Sequence, residues 1–212
     1  MWSYYEVELR LTGRLMGGIP KHPDLIKAWL EARKPSEAAF ARMENPTPIG
    51  TLAEQVAEQV EAEAIEANKV WVGFKHDKEK GLYVDSYHLK SHLKDAASVL
   101  RGYADIRNFK AKFSERVFMS DEPIYLSKDK PDGFWEHPVH VMTLQGPRSA
   151  LKRNDYVEGV TLQARFRVLA DKVITEDTLQ QMFEYGSVCG FGAERGLGNG
   201  RYTFTLTKQE EA

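Results

Sequence analysis

Residues 4–12 alternate strictly, with Tyr5, Val7, Leu9 and Leu11 on one side and charged or hydroxyl residues on the other. Residues 161–169 (TLQARFRVL) alternate just as cleanly, and residues 201–207 form a third such run at the end of the chain. A period of two is the mark of a half-buried strand, with one face on a core and one in water. Shorter apolar stretches predict strands at residues 69–76, 81–85, 115–119, 124–126 and 139–143, the first two joined by the charged turn Asp77-Lys78-Glu79-Lys80. Helical spacing appears between these runs. Residues 87–100 carry Leu89, Leu93, Ala96, Ala97 and Leu100 on one face behind Ser86 as N-cap, and residues 175–188 carry Leu179, Met182 and Phe183. Residues 51–69 open on a capping box, Thr51-Leu52-Ala53-Glu54, and continue with Val56, Val60 and Ala64 on the stripe of Leu52. A short helix over residues 22–32 uses Leu25, Ile26, Trp29 and Leu30.

The rest reads as connection. Residues 13–20 are rich in Gly and Pro, residues 34–49 hold three prolines, and residues 103–113 are irregular and basic. Residues 128–138 form a polar excursion, and residues 145–155 a basic segment containing a turn. Strands near the start, in the middle and at the end, with helices between them, predict an α+β fold. Its pattern is a ferredoxin-like or RRM-like β-α-β-β-α-β core with insertions and a C-terminal glycine loop. The expected organisation is one domain over residues 1–212, with a helical insertion at 20–69 and a basic hairpin or loop excursion at 127–160.

Composition narrows the function classes. Hydrophobic content of 42% and charged content of 28% suit a soluble globular chain. No stretch approaches the length of a membrane span, and residues 1–6 lack a basic-then-apolar leader pattern, so no membrane partner is expected. Cys189 is the only cysteine, which leaves no internal disulfide or cysteine zinc site and points to a reducing, cytoplasmic setting. The net charge of −2 hides an uneven distribution. Residues 51–69 carry five glutamates against one lysine, whereas residues 90–116 carry seven Lys/Arg against three acids and residues 146–169 five against two. Two basic segments of this kind are a possible phosphate footprint.

The densest candidate chemistry lies in residues 189–202, where Gly190, Gly192, Gly196, Gly198 and Gly200 surround Arg195 and Arg201. Glycine main chain and arginine together suit a polyanion. The order here is helix, glycines, strand, whereas a dinucleotide-binding fingerprint runs strand, glycines, helix, so the Rossmann reading is rejected. A helix C-cap leading into a tight turn explains the same glycines without a ligand. Glu136, His137 and His140 lie close in sequence but fall short of a metal-ligand set. No metal and no cofactor is expected.

Three stretches make the chain resemble the RAMP superfamily, the ferredoxin-like proteins of CRISPR systems. Residues 192–201 (GAERGLGNGR) are similar to its C-terminal glycine loop. Residues 82–93 (LYVDSYHLKSHL) are similar to the S-x-x-L-K-x-x-L turn of its guide-RNA-binding backbone subunits. Residues 148–161, with the strand after them, are similar to the lead-in to its second ferredoxin half. The resemblance covers about half the chain, and residues 20–69 have no counterpart in it. It implies a protein that holds single-stranded nucleic acid, RNA or DNA, along a groove and self-associates along the strand. A phage or mobile-element relative fits equally. Carried over, Lys90 and Lys94 face the strand from a helix, Arg148, Lys152 and Arg153 grip it from a hairpin, and Gly192, Arg195, Gly196, Gly198, Gly200 and Arg201 form the loop contact. Arg107, Lys110 and Lys112 extend the basic surface, and Tyr87, Tyr103 or Phe109 are candidates to stack on bases. One alternative is a metal-independent endoribonuclease, whose general base would come from His22, His88 or His92. Another is a structural or assembly protein that binds no nucleic acid.

Overall fold

The computed structural model describes residues 1–21, 69–121, 123–143 and 146–209, with the backbone alone at residues 69–70, 140–143 and 146–150. The chain runs β1 (Trp2–Leu11), β2 (Leu15–Met16), β3 (Ile19–Pro20), β4 (Lys69–Gly73), β5 (Lys75–Asp77) and β6 (Gly81–Val84). Helices α1 (Ser86–Val99) and α2 (Phe109–Arg116) follow, then β7 (Val117–Met119), β8 (Ile124–Tyr125), β9 (Gly133–Thr143), β10 (Gly146–Val157) and β11 (Thr161–Leu169). The end is α3 (Glu176–Cys189), a 3-10 turn at Arg195–Leu197 and β12 (Tyr202–Gln209). Among the described residues no helix is long and apolar enough to cross a membrane. These elements fall into two compact units, one of Met1–Gly17, Phe74–Gly133 and Tyr156–Ala212, the other of Gly18–Gly73 and Phe134–Asp155.

The first unit is the α+β core. Its four-stranded sheet runs β12-β1-β11-β7, with every neighbouring pair antiparallel. With α1 and α2 between β1 and β7, and α3 between β11 and β12, this is the β-α-β-β-α-β path of the ferredoxin-like fold. Alternation decides which side is dry. Tyr5, Val7, Leu9 and Leu11 of β1 and Leu162, Ala164, Phe166 and Val168 of β11 are buried. Against them pack Leu89, Leu93, Ala96 and Ala97 of α1, Phe109 and Phe113 of α2, and Leu179, Met182 and Phe183 of α3. Tyr5 stacks on Phe166, with ring centroids 5.6 Å apart. A second, three-stranded sheet in this unit runs β5-β6-β8. Asp77 closes its hairpin by accepting from the backbone N–H of Glu79 (2.9 Å) and Lys80 (3.0 Å). In the other unit, β4 lies antiparallel to β3 and parallel to β10, which also pairs with β9.

Several boundaries differ from the sequence reading. The strand expected over residues 69–76 is two strands, β4 and β5, separated at Phe74. Ser86 is not the N-cap of α1 but its first, buried residue, and Asp85 precedes it with no side-chain cap bond. Asp85 instead holds Lys75 Nζ at 2.8 Å. Residues 109–116 are helical rather than irregular, because Phe109 and Phe113, one turn apart, anchor a short helix in the core. The next strand therefore starts at Val117, not at 115. Residues 133–143 and 146–157 are the long paired strands β9 and β10: the strand expected at 139–143 is the second half of β9, while a polar excursion was expected before it and a turn-containing segment after it. Pairing supplies the backbone partners that their sequence pattern did not signal. The helices expected at 22–32 and 51–69 and the connection at 34–49 lie outside the described residues, apart from Lys69 in β4.

The two ends of the glycine loop cross at touching distance. Phe191 N–H donates to Gly200 O at 2.7 Å, and Gly200 N–H donates to Arg14 O at 2.8 Å. Gly200 has φ +74°, and a Cβ there would run into the backbone of Phe191, while at Gly196 nothing lies within 4 Å of that position. Left-handed strain and a backbone collision add, so Gly200→Ala should lower stability by about 3 kcal/mol, and Gly196→Ala by less than about 1 kcal/mol. Thermal denaturation of the two variants checks this, and equal melting temperatures would contradict the crossing.

Candidate nucleic-acid interface

Thr175 caps α3 by accepting from Thr178 N–H at 3.2 Å, and Glu176 and Asp177 sit in the first turn, where the helix dipole favours acids. The helix stops at Gly190, and the loop after it uses much of its own main chain. The N–H groups of Gly190, Gly198 and Gly200 donate to Gly186, Arg195 and Arg14 carbonyls. These three amides are therefore already engaged by main-chain carbonyls and do not form an open cradle. Gly192, with φ +91°, fits closely against Leu15 and Met16, so its lack of a side chain also answers to packing. Gly196 and Gly198 face open space, and the exposed Arg201 guanidinium lies 4.0 Å from where a Gly198 side chain would start.

Arg195 turns back onto α1. Its guanidinium lies 3.4 Å from an Asp95 carboxylate oxygen and 3.5 Å from His92 Nδ1. Below it, His92 Nε2 is 2.9 Å from Tyr202 Oη, which reaches the Phe183 carbonyl at 3.4 Å. Arginine can only donate, so His92 Nδ1 carries the lone pair and Nε2 the proton. Nε2–H then donates to Tyr202, whose hydroxyl donates to Phe183 O. The chain of bonds is consistent only with neutral histidine. Burial first, and the Arg195 charge second, pull His92 down to about 4, with Asp95 opposing. Burial likewise pushes the Tyr202 phenol up. A side chain at Gly186 would strike both rings, which fixes a glycine in mid-helix there. His92 is 5% exposed, so it braces the loop and does not face a substrate. His88 bonds the exposed Tyr87 hydroxyl at 2.8 Å, and burial draws it below the usual histidine range. His22 lies outside the described residues.

The basic segment gathers elsewhere, on the outside of α1 and α2. Lys94, Arg101, Arg107 and Lys110 line an open depression of about 820 Å³ together with Asp105, Asn108, Ser114 and Glu115. Glu115 is engaged by Arg116 at 3.3 Å. Among the described residues, none of Lys94, Arg101, Arg107, Lys110 and Lys112 forms an ion pair with an acid. Arg101, in the turn just after α1, was not among the residues picked from sequence, although it falls within the basic segment 90–116. Lys90 sits at the rim. Its Nζ donates to Ser114 O at 3.0 Å and lies 4.9 Å over the Phe118 ring. Burial first, and its neighbour Lys94 second, pull Lys90 below the usual lysine range.

Other expected contacts are engaged differently. Phe109 is fully buried and cannot stack on a ligand, whereas Tyr103 is 76% exposed. In the second unit, the Arg153 guanidinium is sandwiched between Trp71 (4.2 Å) and Phe134 (3.9 Å). Asp155 beside it accepts from Trp71 Nε1 at 2.8 Å and from Lys21 Nζ at 2.9 Å. Arg153 is thus part of a packed cation–aromatic stack. Lys152 is partly exposed on the same strand, and the side chain of Arg148 lies outside the described residues. His137 stacks on Trp135 at 4.0 Å, and the side chain of His140 lies outside the described residues. No group of three metal-ligating side chains occurs among the described residues.

The His92 network makes a pH prediction. A folded-state value near 4 against an ordinary 6.5 means that the neutral ring stabilises the fold fully above about pH 6.5, and that this is lost as pH falls toward 4. The loss amounts to about 3 kcal/mol. Urea denaturation across that window should show wild type losing stability more steeply than His92→Gln, and parallel curves would contradict the neutral network.

No protein-family model matches the chain, and no curated protein does. Among solved structures the chain is similar to one chain of a type III-B Cmr-beta complex bound to cognate target RNA, at 12% identity and a TM-score of 0.48. The likeness covers 98% of this chain and 61% of that one, so this chain spans less than two thirds of that neighbour.

Proposed function

We propose that the protein binds single-stranded nucleic acid by its phosphate backbone, held in the α1–α2 depression. One observation carries this: Lys94, Arg101, Arg107 and Lys110 converge on one open concavity, and among the described residues no acid is paired to any of them. A cation already paired with a carboxylate gains little from a phosphate. An unpaired one repels its neighbours and gains from any anion that arrives. The downward pull of Lys94 on Lys90 is the same repulsion felt at the rim. The bases are read weakly or not at all in this mode, since phosphate contacts position a strand without specifying it. Arg201, exposed at the glycine loop, extends the surface, whereas Arg195 is engaged by Asp95. Self-association along the strand and kinship with the RAMP superfamily belong to the same proposal.

Fluorescence anisotropy with labelled single-stranded RNA, single-stranded DNA and duplex, each at two salt concentrations, tests it. Four phosphate contacts predict that log K falls by about 2.8 for each tenfold rise in salt. Arg107→Ala/Lys110→Ala should weaken single-strand binding by about tenfold at low salt and lower that slope by about 1.4. An unchanged slope in the double variant would place the contact elsewhere, and no binding to any strand would reject the proposal.

A further inference from the structure

The solvent face of the four-stranded sheet carries a cluster that the phosphate-binding depression does not use. Strand periodicity turns Trp2 and Tyr4 of β1 and Arg165 and Arg167 of β11 away from the core, and Phe118 of the edge strand β7 joins them. The Trp2 and Phe118 rings meet edge to face, with centroids 5.6 Å apart at 87°. Arg167 lies 5.0 Å over the Trp2 ring and 5.9 Å over that of Phe118. Phe118 is 37% and Tyr4 38% exposed. The two arginines of β11 differ. Arg165 is held by Asp121 at 2.6 Å, while Arg167 has no acid within ion-pair distance among the described residues. Elsewhere on this face the outward residues of β1 and β11 include Glu6, Glu8, Arg10, Thr161 and Gln163. The aromatics are therefore confined to one end.

That end adjoins the depression. Ser114 lines the depression, its carbonyl holds Lys90 Nζ, and the same ammonium lies over Phe118. A single lysine thus joins an unpaired basic track to the exposed Phe118 and its half-buried neighbour Trp2. We infer that Phe118 and Trp2, flanked by Arg167 and Lys90, form a stacking site for a base of the strand whose phosphates occupy the depression. The occupant follows from the chemistry at hand. Aromatic rings with Lys90 and Arg167 lying over them offer both π surface and positive charge, which suits a base attached to phosphate, and only a single strand can turn its bases outward to reach such a cluster. The inference rests on the proposed phosphate site but can fail without it.

The test compares two labelled strands of equal length by anisotropy, one of unmodified single-stranded RNA and one abasic throughout. Wild type should prefer the base-bearing strand by about tenfold. Phe118→Ala should lose that preference while binding the abasic strand as wild type does, and retained abasic binding also reports an intact fold. If Phe118→Ala loses the abasic strand too, the exposed Arg167→Ala decides. Loss of preference with abasic binding retained supports the site, and a preference unchanged from wild type overturns it. Equal wild-type affinity for both strands overturns the stacking site and leaves the phosphate site standing. Binding to neither strand overturns both.

Discussion

The fold depends on one close crossing of main chain, where Phe191 and Gly200 meet with no room for a side chain between them. This contact brings the chain leaving α3 back onto the start of β12, so that the last strand enters the sheet beside β1, with Tyr202 opposite Leu11. The loop between is then short, held to β2 by the Ala193 N–H to Met16 O bond, and carries Arg195 over α1. Arg195 covers His92, and His92 is bonded to Tyr202, the first residue of the strand the crossing has positioned. Loop, helix and strand end are thus tied through a buried network whose members must all be neutral or outward-facing to coexist. Glycine is required there first by geometry, whatever the loop also touches.

Charge in the first unit divides into two populations with different work. Arg14, Arg116 and Arg165 each face a carboxylate, at 2.9, 2.7 and 2.6 Å, and Arg195 faces Asp95 at 3.4 Å. The solvent-exposed pairs among these contribute little to stability, but all four remove their cations from any contest for a polyanion. Among the described residues Lys94, Arg101, Arg107 and Lys110 are unpaired and share one concavity, which leaves a local field that the overall charge of −2 conceals. Phosphate affinity follows the unpaired charges rather than the count of basic residues. A chain that is mildly acidic as a whole can therefore still hold a nucleic-acid strand on one face.

The core was legible in the sequence because alternation over residues 4–12 and 161–169 and helical spacing over residues 87–100 and 175–188 report burial directly. Only residues 139–143 of β9 were legible; the rest of β9 and most of β10 were not, since their extended state comes from strand pairing rather than from their own pattern. Helix α2 was hidden for a related reason. Eight residues with two phenylalanines leave little periodicity to read, and α1 supplies the packing that stabilises them. For the interface, sequence located the basic segment but not the state of each charge. Nothing local foretells that Arg153 lies between two rings, that three loop amides are donated internally, or that Arg107 and Lys110 face Lys94 and Arg101. These are facts of tertiary contact. Trp2 and Phe118 lie far apart in sequence, and only the β1-β11-β7 order brings their rings together.

The most direct measurement is photo-crosslinking of the full chain to single-stranded RNA carrying 4-thiouridine, with adducts mapped by mass spectrometry. The account predicts adducts concentrated in peptides from the end of α1 through α2 to β7, with Phe118 and the Trp2 peptide among them. Adducts absent from these peptides and found instead on β9 and β10 or around Arg195 would contradict it.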